Sequence, residues 1–288
     1  MRWALIDAPL DSAGTREGEE RAPATLRGAG LLERIGARDA GEADARIRDT
    51  ARDVGTGVIG AADVRRATRA IASAVAEVLA GGDRPLVCGG DCTLLLGVFT
   101  ALPPGAGLWL VDGHPDFHDG RSSPTGEAAD MELSVLTGHG PDGLLEAGGR
   151  LLDPAAVDLV GHRPARLGPD VAAERARLDP GIHQADAPEI RRRGAAAVGA
   201  DCVARRADGA AWLHLDLDAL DETALPAVSY PQPLGLDWEE LVDLTRPLAA
   251  APNLVGLSVA DFNPDRDPDG RHAARIVDVL AAVLEASG

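Results

Sequence analysis

Short apolar runs, each ending in or close to Gly, Asp, His or Pro, constrain this chain most. They are Trp3 to Ile6, Leu86 to Cys88, Leu108 to Val111, Val157 to Val160, Trp212 to Leu215 and Leu254 to Val259. Such runs, largely apolar on both faces, suit strands buried inside a parallel sheet whose two sides are covered by helices. Helical patterns lie between them. From Ala61 to Ala80, the residues Val64, Ala67, Ile71, Val75 and Leu79 repeat at three and four positions, and Gly81 and Gly82 stop the helix. Further helices are expected over Trp238 to Ala249, with Asp237 as N-cap, and over Ala273 to Leu284. The alternation predicts an α/β fold with a central, mainly parallel sheet, and a site at the carboxyl ends of its strands. Residues 12 to 60 are less periodic and read as loops with one short helix near Ala24 to Arg34. A chain of 288 residues, 45% of them hydrophobic, fills one large core better than two small ones, so a single domain over residues 1–288 is expected.

Charge narrows the partners. Against 28 basic residues stand 46 acidic ones, a formal charge of −18 that repels nucleic-acid phosphates and anionic lipid. Aromatics, at 3%, are too few for a base-stacking platform. A metal ion or a small cationic or zwitterionic ligand is the natural partner, not nucleic acid or a membrane. Cys88, Cys92 and Cys202 are too few and too scattered for a disulfide framework. The N-terminal segment acquires Asp7 and Asp11 before any long apolar stretch develops, so a cytoplasmic protein is expected.

Three segments carry the chemistry. LWLVDGHPDFHDG reads as a strand running out into Asp112, His114 and Asp116, which alternate and so converge on one side while the backbone stays extended. AAWLHLDLDALDE reads as a second strand that releases Asp216 and Asp218, with Asp221 beyond it as a turn former or helix cap. Carboxylates beside buried strand ends are costly unless paired or coordinated, and with an imidazole they suit Mn, Fe, Co or Zn. In PLVCGGDCTLLLG, Gly89 and Gly90 permit a tight turn and place Cys92 at the opening of an apolar run with helical character. A Cys at a helix N-terminus has a lowered pKa and is a competent ligand; its ordinary alternative is a small buried apolar residue.

These segments resemble the ureohydrolase (arginase and agmatinase) family, whose pattern runs Gly-Gly-Asp-His, then Asp-Ala-His-x-Asp, then a strand ending Asp-x-Asp-x-x-Asp-Pro. IDAPLD with RAPATLRGAGLLE, and VADFNPDRD late in the chain, extend the resemblance from Ile6 to about Ala274. It implies a three-layer αβα fold, a homo-oligomer of three or six subunits, and two divalent metal ions, usually manganese, that activate a water against a guanidinium carbon. It further implies that Asp112 and Asp216 bridge the metals, that His114 and Asp218 hold the second, and that Asp116 and position 92 hold the first. Asp116 would also relay the water's proton to the leaving amine.

Four departures point away from ordinary L-arginine. Cys92 stands where the family has its first His ligand, which is similar to the Nω-hydroxyarginine hydrolases of the family and tilts preference toward zinc or iron. In GRSSPTGEAADME, the substrate-facing loop with Ser123, Thr125 and Glu127, Ala129 replaces the proton-shuttling histidine. Glu127 and His118 replace asparagines that contact the substrate, and His118 is a candidate substitute base. Arg166 occupies the place of a carboxylate that reads the α-ammonium group. Asp261 falls on the glutamate that pairs with the guanidinium and is one methylene shorter, which leaves room for a bulkier head. The expected activity is hydrolysis of a C–N bond in a guanidino or modified guanidino compound, releasing urea or hydroxyurea. The alternatives are a formimino or other amide hydrolase of the same family, and a metal-binding protein without catalysis.

Overall fold

The computed structural model describes residues 1–15, 18–145 and 148–285. Its strands are β1 (Trp3–Ala8), β2 (Arg38–Glu42), β3 (Arg84–Gly89), β4 (Gly107–Val111), β5 (Val157–Val160), β6 (His183–Ala185), β7 (Ala211–Asp216) and β8 (Leu254–Ala260). They form a single sheet in the order β2-β1-β3-β8-β7-β4-β5-β6, and every pairing is parallel. The six apolar runs are its inner strands. Both strands that the apolar pattern missed, β2 and β6, lie at its edges, where one side faces solvent and polar sequence is tolerated.

Neighbouring residues along a strand enter different cores. Leu5, Leu86, Trp109, Leu213 and Leu257 pack with Ala187–Arg193, Ala195–Arg205, Trp238–Ala249 and Arg271–Leu284 on one face. Ala4, Val87, Leu108, Leu110 and Trp212 pack with the helices Ala61–Ala80 and Leu94–Ala101 on the other. The molecule is thus a three-layer α/β fold, with the sheet dry on both sides. The helix over Ala61–Ala80 ends at Gly81 as its spacing demanded, and Asp237 with Glu240 forms a reciprocal capping box at Trp238–Ala249. The early segment holds more structure than its composition suggested. Two helices, Ala22–Gly28 and Leu31–Arg34, replace the one expected near Ala24 to Arg34, because Gly30 takes a left-handed conformation between them.

Gly90 fixes how β3 leaves the sheet. A Cβ there would lie 1.6 Å from the Leu10 carbonyl oxygen, and the Gly90 carbonyl accepts the Asp261 N–H at 2.7 Å. The loops after β1, β3 and β8 therefore meet backbone to backbone at this glycine. Gly90→Ala is expected to cost about 3 kcal/mol, the upper end of overpacking penalties, read as a lowered midpoint in urea unfolding. An unchanged midpoint would refute this account of the junction.

Candidate metal centre

β3, β8, β7 and β4 are adjacent at the middle of the sheet, and all four end on the same side. Asp112, His114 and Asp116 follow β4, Asp216 and Asp218 close β7, Cys92 follows β3 and Asp261 follows β8. Donor atoms of Cys92, Asp112, Asp116 and Asp216 lie within 4.8 Å of one another, as do those of Asp112, His114 and Asp218. Asp112 belongs to both groups and joins them into one centre.

Local hydrogen bonds aim these side chains. Asp112 accepts the His114 N–H at 2.7 Å, and Asp216 accepts the Asp218 N–H at 2.6 Å. The Asp218 carboxylate meets His114 Nδ1 at 2.8 Å and the Gly113 N–H at 3.1 Å. Behind it Arg163, fully buried, donates to the carbonyls of Asp218, Ala219, Leu220, Gln232 and Pro233. A guanidinium surrounded by carbonyl oxygens locks that turn in place. Gly113 leaves room for it, since a Cβ would fall 2.4 Å from Arg163 Nη1. Asp116 and Asp261 have φ of 45° and 67°, a left-handed backbone that is uncommon outside glycine. These two belong to the site, where surrounding contacts can hold such conformations; Leu234, at φ 68°, is a third such residue and lies outside it.

The residues fit divalent cations. Asp112 is fully buried, and its Oδ2 has no hydrogen-bond partner among the described residues; Glu132 is also fully buried, beside Asp116 and Asp112. Stranded anionic oxygens cost several kcal/mol each unless a cation meets them. Burial, reinforced by Asp216 and Asp218, pushes Asp112 far above the usual carboxylate range, and burial with Glu132 and Asp112 does the same to Asp116. Burial and Asp218 push Asp216 up to about 7. Asp218 stays low in spite of its burial, because His114 and Arg163 favour its charge. Burial opposes a charge on His114, but Asp218, Asp112 and Asp216 hold its pKa up at about 10. A cation bound by this imidazole would compete with its proton.

Cys92 departs from its expected chemistry. The following helix begins only at Leu94, and the sulfur faces Asp216 Oδ2 and Asp261 Oδ2, each at 2.9 Å. Burial and these two carboxylates push the thiol well above its ordinary value, so the expected helix-lowered pKa is not found. Cys88 is an inert core residue on β3.

Above the cluster a cavity of about 200 Å³ opens to solvent. His114, Asp116, His118, Thr125, Glu127, Ala129, Asp216, Asp218 and Asp261 line it, and so do Glu19, Asp130, Glu174 and Tyr230, which the motifs did not single out. His118 Nδ1 lies 2.8 Å from Arg177 Nη1, so the imidazole accepts there. Glu127 sits 3.3 Å from the Tyr230 hydroxyl. Thr125 Oγ1 and Ser123 Oγ both donate to Asp130 Oδ2, at 2.8 and 2.7 Å. Ser123 is buried inside the loop and Arg166 is exposed; neither is among the lining residues. Asp221 forms a turn with Thr223, and Asn263 caps the turn at Pro264.

The sequence pattern of the Arginase family matches residues 1–285. The chain belongs to the arginase family. Arginase of Bacillus caldovelox is 27% identical over 304 aligned residues, covering 98% of this chain and 97% of that protein. Its native structure superposes with a TM-score of 0.85 at 26% identity, covering 98% of each chain. Arginase from Bacillus cereus gives 0.84 at 26% identity, over 99% of this chain and 98% of that one. As an arginase-family member the chain is a metal-dependent hydrolase of C–N bonds in linear amidines, and the carboxylate cluster is its candidate metal centre.

Metal is expected to stabilise the fold by about 2.7 kcal/mol per site at a hundredfold excess over Kd, seen as a higher Tm with manganese than with a chelator. The sign with pH follows from Asp216, whose carboxyl, pushed up to about 7 in the fold, lies well above the ordinary aspartate range. The metal-free fold holds that proton more tightly than the unfolded chain, so it loses stability as pH rises from about 4 to 7. The gap between loaded and metal-free Tm should therefore widen over that range; a gap that is constant or narrows would contradict it.

Proposed function

We propose that the chain hydrolyses a guanidino compound with a modified head, of the hydroxyguanidine type, and releases urea or a substituted urea. The observation that carries this reading is the charge of the cavity. Glu19, Asp116, Glu127, Asp130, Glu174, Asp216, Asp218 and Asp261 line it, with no Lys or Arg among the described lining residues. Such a wall selects a cation, and a guanidinium presents its N–H groups in the fork that carboxylates accept.

Cys92, Asp112, Asp116 and Asp216 would hold one divalent ion, and Asp112, Asp216, His114 and Asp218 a second. Manganese is the family's usual ion, and the sulfur shifts preference toward zinc or iron. Two bound cations would make a water more acidic and stabilise the negative charge that develops on attack. Asp116 takes the water's proton and delivers it to the leaving amine. Asp261 pairs with the guanidinium, and its short side chain leaves room for an N-hydroxyl. Thr125, Glu127 and Tyr230 border the path of the substrate's tail. Ala129 has no proton to shuttle; the Nδ1 lone pair of His118 is engaged by Arg177, so its imidazole offers an Nε2–H to the cavity and Asp116 serves as the base. Family membership also supports a cytoplasmic homo-oligomer of three or six subunits. Among the described residues no helix is long and apolar enough to cross a membrane.

Purified protein loaded with manganese, iron or zinc should release urea or hydroxyurea from a panel of arginine, hydroxyarginine, agmatine and guanidino acids. The hydroxyguanidine should exceed its parent in kcat/KM by roughly tenfold or more, the worth of one methylene of fit. No product from any of them would sink the reading. A formimino or other amide substrate would then remain if two metals bind, and a non-catalytic metal protein if fewer than one does.

Burial, with Asp91 next, pushes the Glu127 carboxyl up to about 7. It gains its charge as pH rises through that value, so KM for a cationic substrate should fall over the same interval. Glu127→Gln should flatten that part of the profile; an unaltered pH dependence would exclude Glu127 from substrate binding.

A further inference from the structure

Cys92 brings a negative charge to a centre already crowded with carboxylates. Five anionic ligands would face the four positive charges of two divalent ions, which weakens the very polarisation that hydrolysis needs. One of the neighbours of the sulfur is a donor. His214 Nε2 lies 3.1 Å from Cys92 Sγ, and both side chains are buried. His214 sits on β7 two residues before Asp216.

The hydrogen bonds behind His214 determine which way its protons point. Trp212 Nε1 donates to Ser258 Oγ at 2.9 Å, and an indole nitrogen can only donate. Ser258 Oγ also meets His214 Nδ1 at 2.7 Å. Ser258 is fully buried, and its hydroxyl proton needs an acceptor; the imidazole Nδ1 supplies it. With Nδ1 accepting, the ring proton of the imidazole is on Nε2, directed at the sulfur. A charged ring would aim the same N–H at the same atom. Trp212, Ser258 and His214 thus form a one-way chain of donors that ends on Cys92.

We propose that His214 is a positioning residue that donates an Nε2–H hydrogen bond to the Cys92 sulfur and makes a cysteine workable as a metal ligand in this centre. The bond occupies a sulfur lone pair, fixes the direction of the remaining ones and draws charge away from the metal. It answers the cost of the cysteine with a group from the adjacent strand, in the way that outer partners orient and tune ligands elsewhere. Ionised, as they are beside bound cations, Asp216 and Asp261 repel a thiolate and do not share this role. The inference rests on the reading that Cys92 is a ligand.

Cobalt(II) is the probe, because a sulfur ligand gives it a near-ultraviolet charge-transfer band that oxygen and nitrogen ligands do not. Wild-type protein loaded with cobalt should show the band, and Cys92→Ser should lack it. His214→Leu removes the donor, so the band should move to longer wavelength as the sulfur becomes more electron-rich, and metal affinity should fall about 10- to 100-fold. Ser258→Ala, a smaller change that releases the tautomer, should shift the band in the same direction. His214→Gln keeps an N–H and should move it back toward the wild-type position. No sulfur band in wild type would remove the Cys92 ligand and the inference with it. A band that stays in place in His214→Leu and Ser258→Ala would refute the inference and leave Cys92 a ligand. Loss of a full metal equivalent in His214→Leu would make His214 a ligand itself and overturn the positioning role.

Discussion

Negative charge removed from water is the constraint on which the rest of this molecule depends. Asp112, Asp116, Asp216, Asp218 and Glu132 are all buried within one centre, and Asp112 and Glu132 are completely so. Like charges at such separations, in a medium far less polarisable than water, cannot all be ionised without a counter-charge. The fold supplies part of it through His114 and Arg163, and the remainder is a demand for cations. The dry sheet tolerates this arrangement because the acids stand at its carboxyl edge, one step beyond apolar strands that are packed on both faces.

The same constraint explains the supporting architecture. Glycines 90 and 113 stand where backbone or a guanidinium must approach too closely for any side chain. Arg163 ties five carbonyl groups around the Asp218 turn, so a ligand held by a short irregular segment becomes as fixed as one on a strand. Left-handed backbone at Asp116 and Asp261 is local strain sustained by that tight packing.

Cysteine among these acids changes the balance but not the plan. A thiol with one proton cannot donate to both Asp216 and Asp261, so the metal-free site holds three acidic groups that must share protons. His214 is the nearby group that donates to the sulfur. Its connection to Ser258 and Trp212 runs across two strands into the sheet, and the tuning of the sulfur therefore belongs to the core as much as to the cavity.

Much of this was legible before any fold was known. Inner strands are apolar on both faces, so their runs announce themselves; the residues at their ends were legible too, but extended alternation is not what gathers them, since the chain turns after Asp112, Asp116 is left-handed and Asp218 sits in the short helical turn Leu217–Ala219. The edge strands β2 and β6 carry no such pattern, because solvent satisfies their open side. His214 alternates with Asp216 within β7 and was open to an argument from alternation, whereas Glu132, Glu19 and Arg163 lie in segments with no periodic signal. Local spacing thus determined the six inner strands and showed acidic, imidazole and thiol side chains at their ends. Only the tertiary structure decided that Cys92 faces two carboxylates and one imidazole, that Arg166 stands outside the cavity, and that Ser123 serves its own loop. Those outcomes depend on which strands become neighbours, and neighbours are chosen by the packing of the whole sheet between its two helical layers, which no segment encodes alone.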